Sequence, residues 1–199
     1  MGQKIKQIIK NILRFWYAYV TLIAVATLST IYYCNYINRP KQEKTISLFV
    51  SSYSLNSNKL YDFLKEKSPS YLREINISFV NPKSADFEYQ IVNKGLNKAD
   101  IFILPKSYIF DSLVEKQFAS LNQDVLNNYF TYETDSYGKG IVIHKPGQED
   151  NDLYTFRNSD YPDEDYYLYY RVNSIHIKGL NDSNYDTALM FTKELLNYG

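Results

Sequence analysis

ADIFILP, residues 99–105, is an almost unbroken apolar run that stops at a proline. Strands covered on both faces of a parallel sheet read as continuous hydrophobic runs rather than as alternation. A proline has no N–H to give to a ladder, so Pro105 marks the point where this strand leaves the sheet. The stretch therefore predicts a central, doubly covered strand. Upstream, TISLFV (45–50) and INISFV (75–80) are β-branched and apolar, and the latter places Ile75, Ile77 and Phe79 on one side. Between the first two lies KLYDFLKEK, with Leu60, Phe63 and Leu64 on one helical face, ended by Pro69. Between the second and third lies ADFEYQIVNKG, predicted as a helix capped by Ser84 and stopped by Gly95. Three strands separated by short helices imply right-handed crossovers and an α/β fold, with a parallel or mixed sheet flanked by helices.

The amino terminus has a different character. Residues 1–14 carry Lys4, Lys6, Lys10 and Arg14, and residues 15–37 carry no charge. About 20 apolar residues suffice to cross the roughly 30 Å of bilayer hydrocarbon. Phe15, Trp16, Tyr17 and Tyr19 at one end and Tyr32, Tyr33 and Tyr36 at the other are placed as interfacial anchors. The sequence thus divides into a basic cytoplasmic segment (1–14), a transmembrane helix (15–37), a linker (38–44) and an extracytoplasmic α/β domain (45–199). Arg39, Lys41 and Lys44 partly offset the basic residues of the near side, and the balance still favours a cytoplasmic amino terminus. Ala24-Val25-Ala26 has the small-residue pattern of a cleavage site, but the apolar run continues past it, so an uncleaved signal-anchor is expected. Cys34 follows Tyr32-Tyr33, where a lipid-attachment signal needs small residues, and Lys6 stands where myristoylation needs Ser or Thr.

Composition narrows the chemistry. Twenty-two basic and 22 acidic residues give no net charge, and no basic cluster lies beyond the first 44 residues, which argues against nucleic acid as a partner. One cysteine and two histidines supply no zinc spacing and no internal disulfide, so no metal or other cofactor is expected. Asp160, Asp163, Glu164 and Asp165 lack the alternation and the glycine of a calcium loop and read as a solvated loop. His144 and His176 sit within apolar alternation, and neither a nucleophile elbow nor a phosphate loop accompanies them; the chain reads as a non-enzyme. The 21 tyrosines could line sugar-stacking surfaces, although a coding bias toward Tyr, Asn, Lys and Ile explains them more simply.

The lead-in Lys-Gly-Leu-Asn-Lys-Ala-Asp (94–100), followed by a strand ending in Pro-Lys-Ser-Tyr, resembles the first lobe of the extracellular solute-binding proteins that feed ABC transporters. The closing segment DYYLYYRVNSIHIKGLNDSNYDTALMFTKELLNYG (165–199) resembles the strand, turn and helix that end such proteins, with Tyr185, Ala188, Leu189, Thr192, Leu195 and Leu196 at three- and four-residue steps. The resemblance implies a periplasmic-binding-protein-like lobe, outside a bacterial cell membrane, with a small-molecule solute and a transporter permease or other envelope protein as partners. Such proteins close a second lobe of similar size over the ligand, and only residues 110–165 remain here to build one.

Open parallel sheets bind ligands at the carboxyl ends of their strands, where helix N-termini present unpaired N–H groups. The loops at those ends nominate Ser52, Tyr53, Ser54, Lys106 and Tyr108 as ligand-binding residues. Against this stands the plainer reading in which the serines cap helices, Lys106 is solvated and Tyr108 shields a helix. Two functions follow: a solute-binding-like module or transporter accessory, and an interaction protein of the envelope that keeps the fold without a ligand.

Overall fold

The computed structural model describes residues 2, 5–7, 10, 14–51, 57–146, 164–180 and 187–196. The chain forms two compact units, Met1–Arg39 and Pro40–Gly199.

The first unit is dominated by helix α1, Trp16–Asn38, one residue out of register with the uncharged run. Its 23 residues, at about 1.5 Å each, make it long enough to cross a membrane, and no residue of it is buried by protein. Thr21, Thr27 and Thr30 each donate their hydroxyl to the carbonyl four residues back, at 2.8 Å, which leaves these polar groups satisfied within the helix.

The second unit is built on a five-stranded sheet: β1 (Thr45–Ser51), β2 (Glu74–Val80), β3 (Ile101–Pro105), β4 (Ile141–His144) and β5 (Tyr166–Tyr170), in the order β2-β1-β3-β5-β4. β1 pairs in parallel with β2 (Ile46 opposite Ile75) and with β3 (Phe49 opposite Phe102), as the alternation of strand and helix predicts. β5 then pairs antiparallel with β3 (Ile103 opposite Leu168), and β4 antiparallel with β5, so the sheet is mixed. β3 is its middle strand, and all five of its residues are buried.

Alternation along the strands divides two cores. Ile46, Leu48, Val50, Ile101, Ile103, Leu168 and Tyr170 face one side, where Leu60 and Leu64 of α2 (Ser57–Lys67) and Ala188, Leu189 and Leu195 join them. The last three belong to the carboxyl-terminal helix. Phe49, Phe102, Leu104 and Tyr169 face the other side and meet Phe87 of α3 (Phe87–Gln90) with Leu113 and Val114 of α4 (Asp111–Gln117). A short α5 (Gln123–Leu126) precedes β4, and α6 (Thr187–Leu196) closes the chain. The sheet thus has helices on both faces.

Two local expectations fail. Ser84 does not cap a helix: its hydroxyl donates to Asn81 O (2.8 Å) within a turn, and α3 starts after Asp86, which makes no side-chain cap bond. Gly95 does not stop the helix either, since α3 passes directly into a π-helical turn, Ile91–Leu96. The glycine is needed for proximity, because a Cβ there would stand 2.9 Å from the Phe102 ring of β3. A wide turn with no side chain lets the backbone lie against the sheet.

Residues 111–146 do not build a second lobe. They supply α4, α5 and the edge strand β4 to the same unit as β1–β3. Lys139 fixes this addition, donating from Nζ to the carbonyls of Val114, Glu115 and Phe118 (3.1, 3.1 and 3.0 Å) at the carboxyl end of α4. A cation is favoured at that end of a helix, where carbonyls lack partners.

Candidate functional site

The carboxyl edge of β1, β2 and β3 is where the topology would place a ligand. β1 ends there in Ser51, fully buried, on the Phe49 side of the sheet by alternation. Among the described residues its Oγ has no hydrogen-bond partner. A buried hydroxyl without a partner loses its hydration with nothing in return, at a cost of about 1–3 kcal/mol.

The loops on either side of β1 are tied together. After β2, Asn81 accepts from Lys83 N through its side chain (2.8 Å) and from Ser84 N through its carbonyl (3.0 Å), which turns the chain and buries Pro82. After β3, the 3-10 turn Lys106–Tyr108 brings the Tyr108 hydroxyl to Pro82 O, where it donates at 2.8 Å. The Tyr108 ring meets Phe87 edge-on, with centroids 4.4 Å apart. Because β1 lies between β2 and β3, this bond joins the loops that flank its end.

Lys106 and Ser107 are held from the other direction. Lys106 Nζ pairs with Asp165 Oδ2 (3.3 Å), Lys106 N donates to Asp165 O (2.9 Å), and Ser107 N donates to Glu164 Oε2 (3.0 Å). Asp165 Oδ2 also accepts from the Tyr167 hydroxyl (3.0 Å). Burial first, and the neighbouring Asp165 second, push the Tyr167 phenol up to about 12. Asp165 Oδ2 thus accepts from both Lys106 Nζ and the Tyr167 hydroxyl. Two acidic residues expected in a solvated loop instead latch the turn after β3 onto the start of β5.

Of the nominated residues, Lys106 and Tyr108 thus lie on one turn, and both are engaged within the fold. Lys106 keeps an exposed side chain alongside its ion pair. Ser52, Tyr53 and Ser54 lie outside the described residues, as do Asp160, Asp163 and Tyr185.

A second polar cluster, at the opposite edge of the sheet, escaped the sequence reading. Asp100, 5% exposed, precedes β3 and accepts from Ser47 N (2.9 Å) and from the Ser174 hydroxyl (2.6 Å), with Arg171 Nη2 at 3.6 Å. His176, 3% exposed, donates from Nε2 to Thr45 O (2.6 Å). These contacts tie the starts of β1 and β3 to the turn after β5. A buried carboxylate with charged and neutral donors is a structural tie of the kind a fold needs where a strand begins. Its only signal in the sequence is an aspartate directly before an apolar strand.

Ser51 and His176 lie at opposite edges of the sheet, and His144, in β4, meets Tyr166 edge-on at 6.0 Å. Among the described residues no group of three His, Cys, Asp or Glu side chains is placed to hold a metal ion. Comparison with protein-family models, with curated proteins and with solved structures found no match for this chain.

Proposed function

We propose that the chain is a single-pass membrane protein whose extracytoplasmic α/β module acts by contact with another protein of the cell envelope, without catalysis and without a solute. The observation that carries this reading is the Tyr108–Pro82 bond, which joins the loops on either side of β1 where a solute would enter. The Lys106–Asp165 pair and the Ser107–Glu164 bond support it, because they use within the fold the polar groups a ligand would need. A transporter permease is a partner compatible with the anchor and with the resemblance to solute-binding proteins.

One observation favours a solute-binding-like module instead: the buried hydroxyl of Ser51 at the end of β1, which has no hydrogen-bond partner among the described residues. Thermal-shift screening of the full chain in detergent against sugars, amino acids and short peptides separates the two. The interaction reading predicts no stabilisation by any of them. A compound that raises the unfolding midpoint, with the effect lost in Ser51→Ala, would establish the solute-binding reading in its place.

A further inference from the structure

We propose that the outer edge of β2 is a self-association surface, on which a second copy of the chain lays its own β2 antiparallel about a two-fold axis at Ile77, so that the two sheets become one. This surface is distinct from the loops at the carboxyl edge, and the inference stands whichever reading of those loops holds.

The two edges of the sheet are built differently. β4, at one edge, has four residues, and its pairing with β5 is irregular between Val142 and His144. Its outer side is closed by the chain itself: Val142 N donates to Glu133 O (2.8 Å), Asp135 N donates to Gly140 O (2.9 Å), and Thr134 bridges Ile141. Short length, irregular pairing and a covering segment are the means by which proteins protect an edge. β2, at the other edge, has none of them. It runs for seven residues in unbroken register with β1, from Glu74 opposite Thr45 to Val80 opposite Ser51. It contains no proline and no lysine, and its one charge, Glu74, stands at its first position. Among the described residues none pairs with its outer side. Such an edge presents unpaired backbone N–H and C=O groups, and the chemistry that satisfies them is another extended strand.

The side chains of β2 select which strand. The antiparallel register that pairs all seven residues is centred on Ile77. It sets Ile77 opposite Ile77 of the second copy, Ile75 opposite Phe79, Asn76 opposite Ser78 and Glu74 opposite Val80. Apolar residues thus meet apolar ones on the side where Ile75, Ile77 and Phe79 already join the Ile46 and Leu48 core, and Ile77 and Phe79, half-buried in one copy, gain cover. On the other side the exposed Asn76 meets a serine hydroxyl, a pair able to hydrogen-bond. No like charges are opposed, since Glu74 faces a valine and the preceding Arg73 falls opposite Asn81. A slip of one residue would set Ile77 against Asn76 and undo this matching. The strand is its own complement, as an isologous interface requires.

The test uses the full chain with Cys34→Ser, in detergent and in lipid vesicles at low protein-to-lipid ratio. Light scattering in detergent should give a dimer, and Asn76→Lys, which places a cation at an exposed position of the edge, should weaken dimerisation at least ten-fold while leaving the circular dichroism and the unfolding midpoint unchanged. In vesicles, Ile77→Cys should be joined to its counterpart by a short bifunctional methanethiosulfonate. Glu74→Cys should not be, because six residues of strand, about 20 Å, separate it from the same position in the second copy. A monomer in both settings overturns the inference. So does a dimer that ignores Asn76→Lys, or one in which positions 74 and 77 cross-link equally, since either places the contact elsewhere. Should Ile77→Cys fail to fold, the response of the dimer to Asn76→Lys decides alone.

Discussion

Tyr108 is the residue at which a binding role and a structural one divide. Its ring packs on Phe87 and its hydroxyl donates to Pro82 O, so this half-buried side chain is engaged within the fold. Tyr108→Phe keeps the ring and removes the donor, and should lower stability by about 1 kcal/mol, read from denaturant midpoints at unchanged slope. The sequence allowed Tyr108 as ligand platform or helix shield, and nothing local to Lys106-Ser107-Tyr108 decides between them. The partner of its hydroxyl, Pro82 O, is brought opposite by a parallel pairing that short-range patterns do not encode. The tyrosines of β5 make the same point. Tyr166, Tyr169 and Tyr170 are fully buried, and Tyr167 is nearly so. Burial raises the phenols of Tyr167, Tyr169 and Tyr170 above the ordinary value, and the bond from Tyr169 to Asp135 raises that residue's further. A group whose protonated form is favoured by folding contributes stability that is complete below its unfolded pKa of about 10 and is lost as pH rises above it. Stability should therefore fall as pH climbs past about 10. Phenolate absorbance should appear in two stages, exposed tyrosines first and those of β5 together with unfolding.

At the scale of the element, β3 holds the account together. It pairs on one side with β1 and on the other with β5, and both of its faces are covered. Phe102→Asp would put a carboxylate among Phe49, Phe118 and Gly95, with no partner for its charge. Such a change costs several kcal/mol, enough to unfold most domains of this size. Circular dichroism of the variant should show loss of the cooperative transition; a variant that remained folded would contradict the central position of β3. This strand was legible because burial on both faces writes itself as continuous hydrophobicity. The turn at Ile91–Leu96 was not, since Gly95 reads locally as a helix stop, while its use here is close contact with Phe102, a constraint that arises only in three dimensions. The antiparallel entry of β5 beside β3 was equally hidden: Tyr-Tyr-Leu-Tyr-Tyr announces a strand and leaves its direction open.

At the scale of the whole molecule, one helix able to cross a membrane, among the described residues, precedes one mixed α/β unit. The orientation we propose, with the amino terminus in the cytoplasm, rests on the basic residues of the first 14 positions. Protease added to intact protoplasts should accordingly digest residues 45–199, and full protection would reverse the orientation. A helix long and apolar enough to span a membrane and the parallel run of β1–β3 were legible in composition and periodicity. The absence of a separate second lobe among the described residues follows from what residues 111–146 do instead, which is to extend and cover the sheet that β1–β3 begin. We propose, as the central claim, that the Tyr108–Pro82 bond between the loops after β2 and β3 closes the carboxyl edge at Ser51. Ser51→Cys, in a chain with Cys34→Ser, tests it most directly through the rate of thiol labelling under native conditions. The account predicts labelling only as fast as the domain opens, and faster labelling when Tyr108→Ala is added. Labelling of Ser51→Cys as fast as that of an exposed surface cysteine, and indifferent to Tyr108→Ala, would contradict it and show an open site at the end of β1.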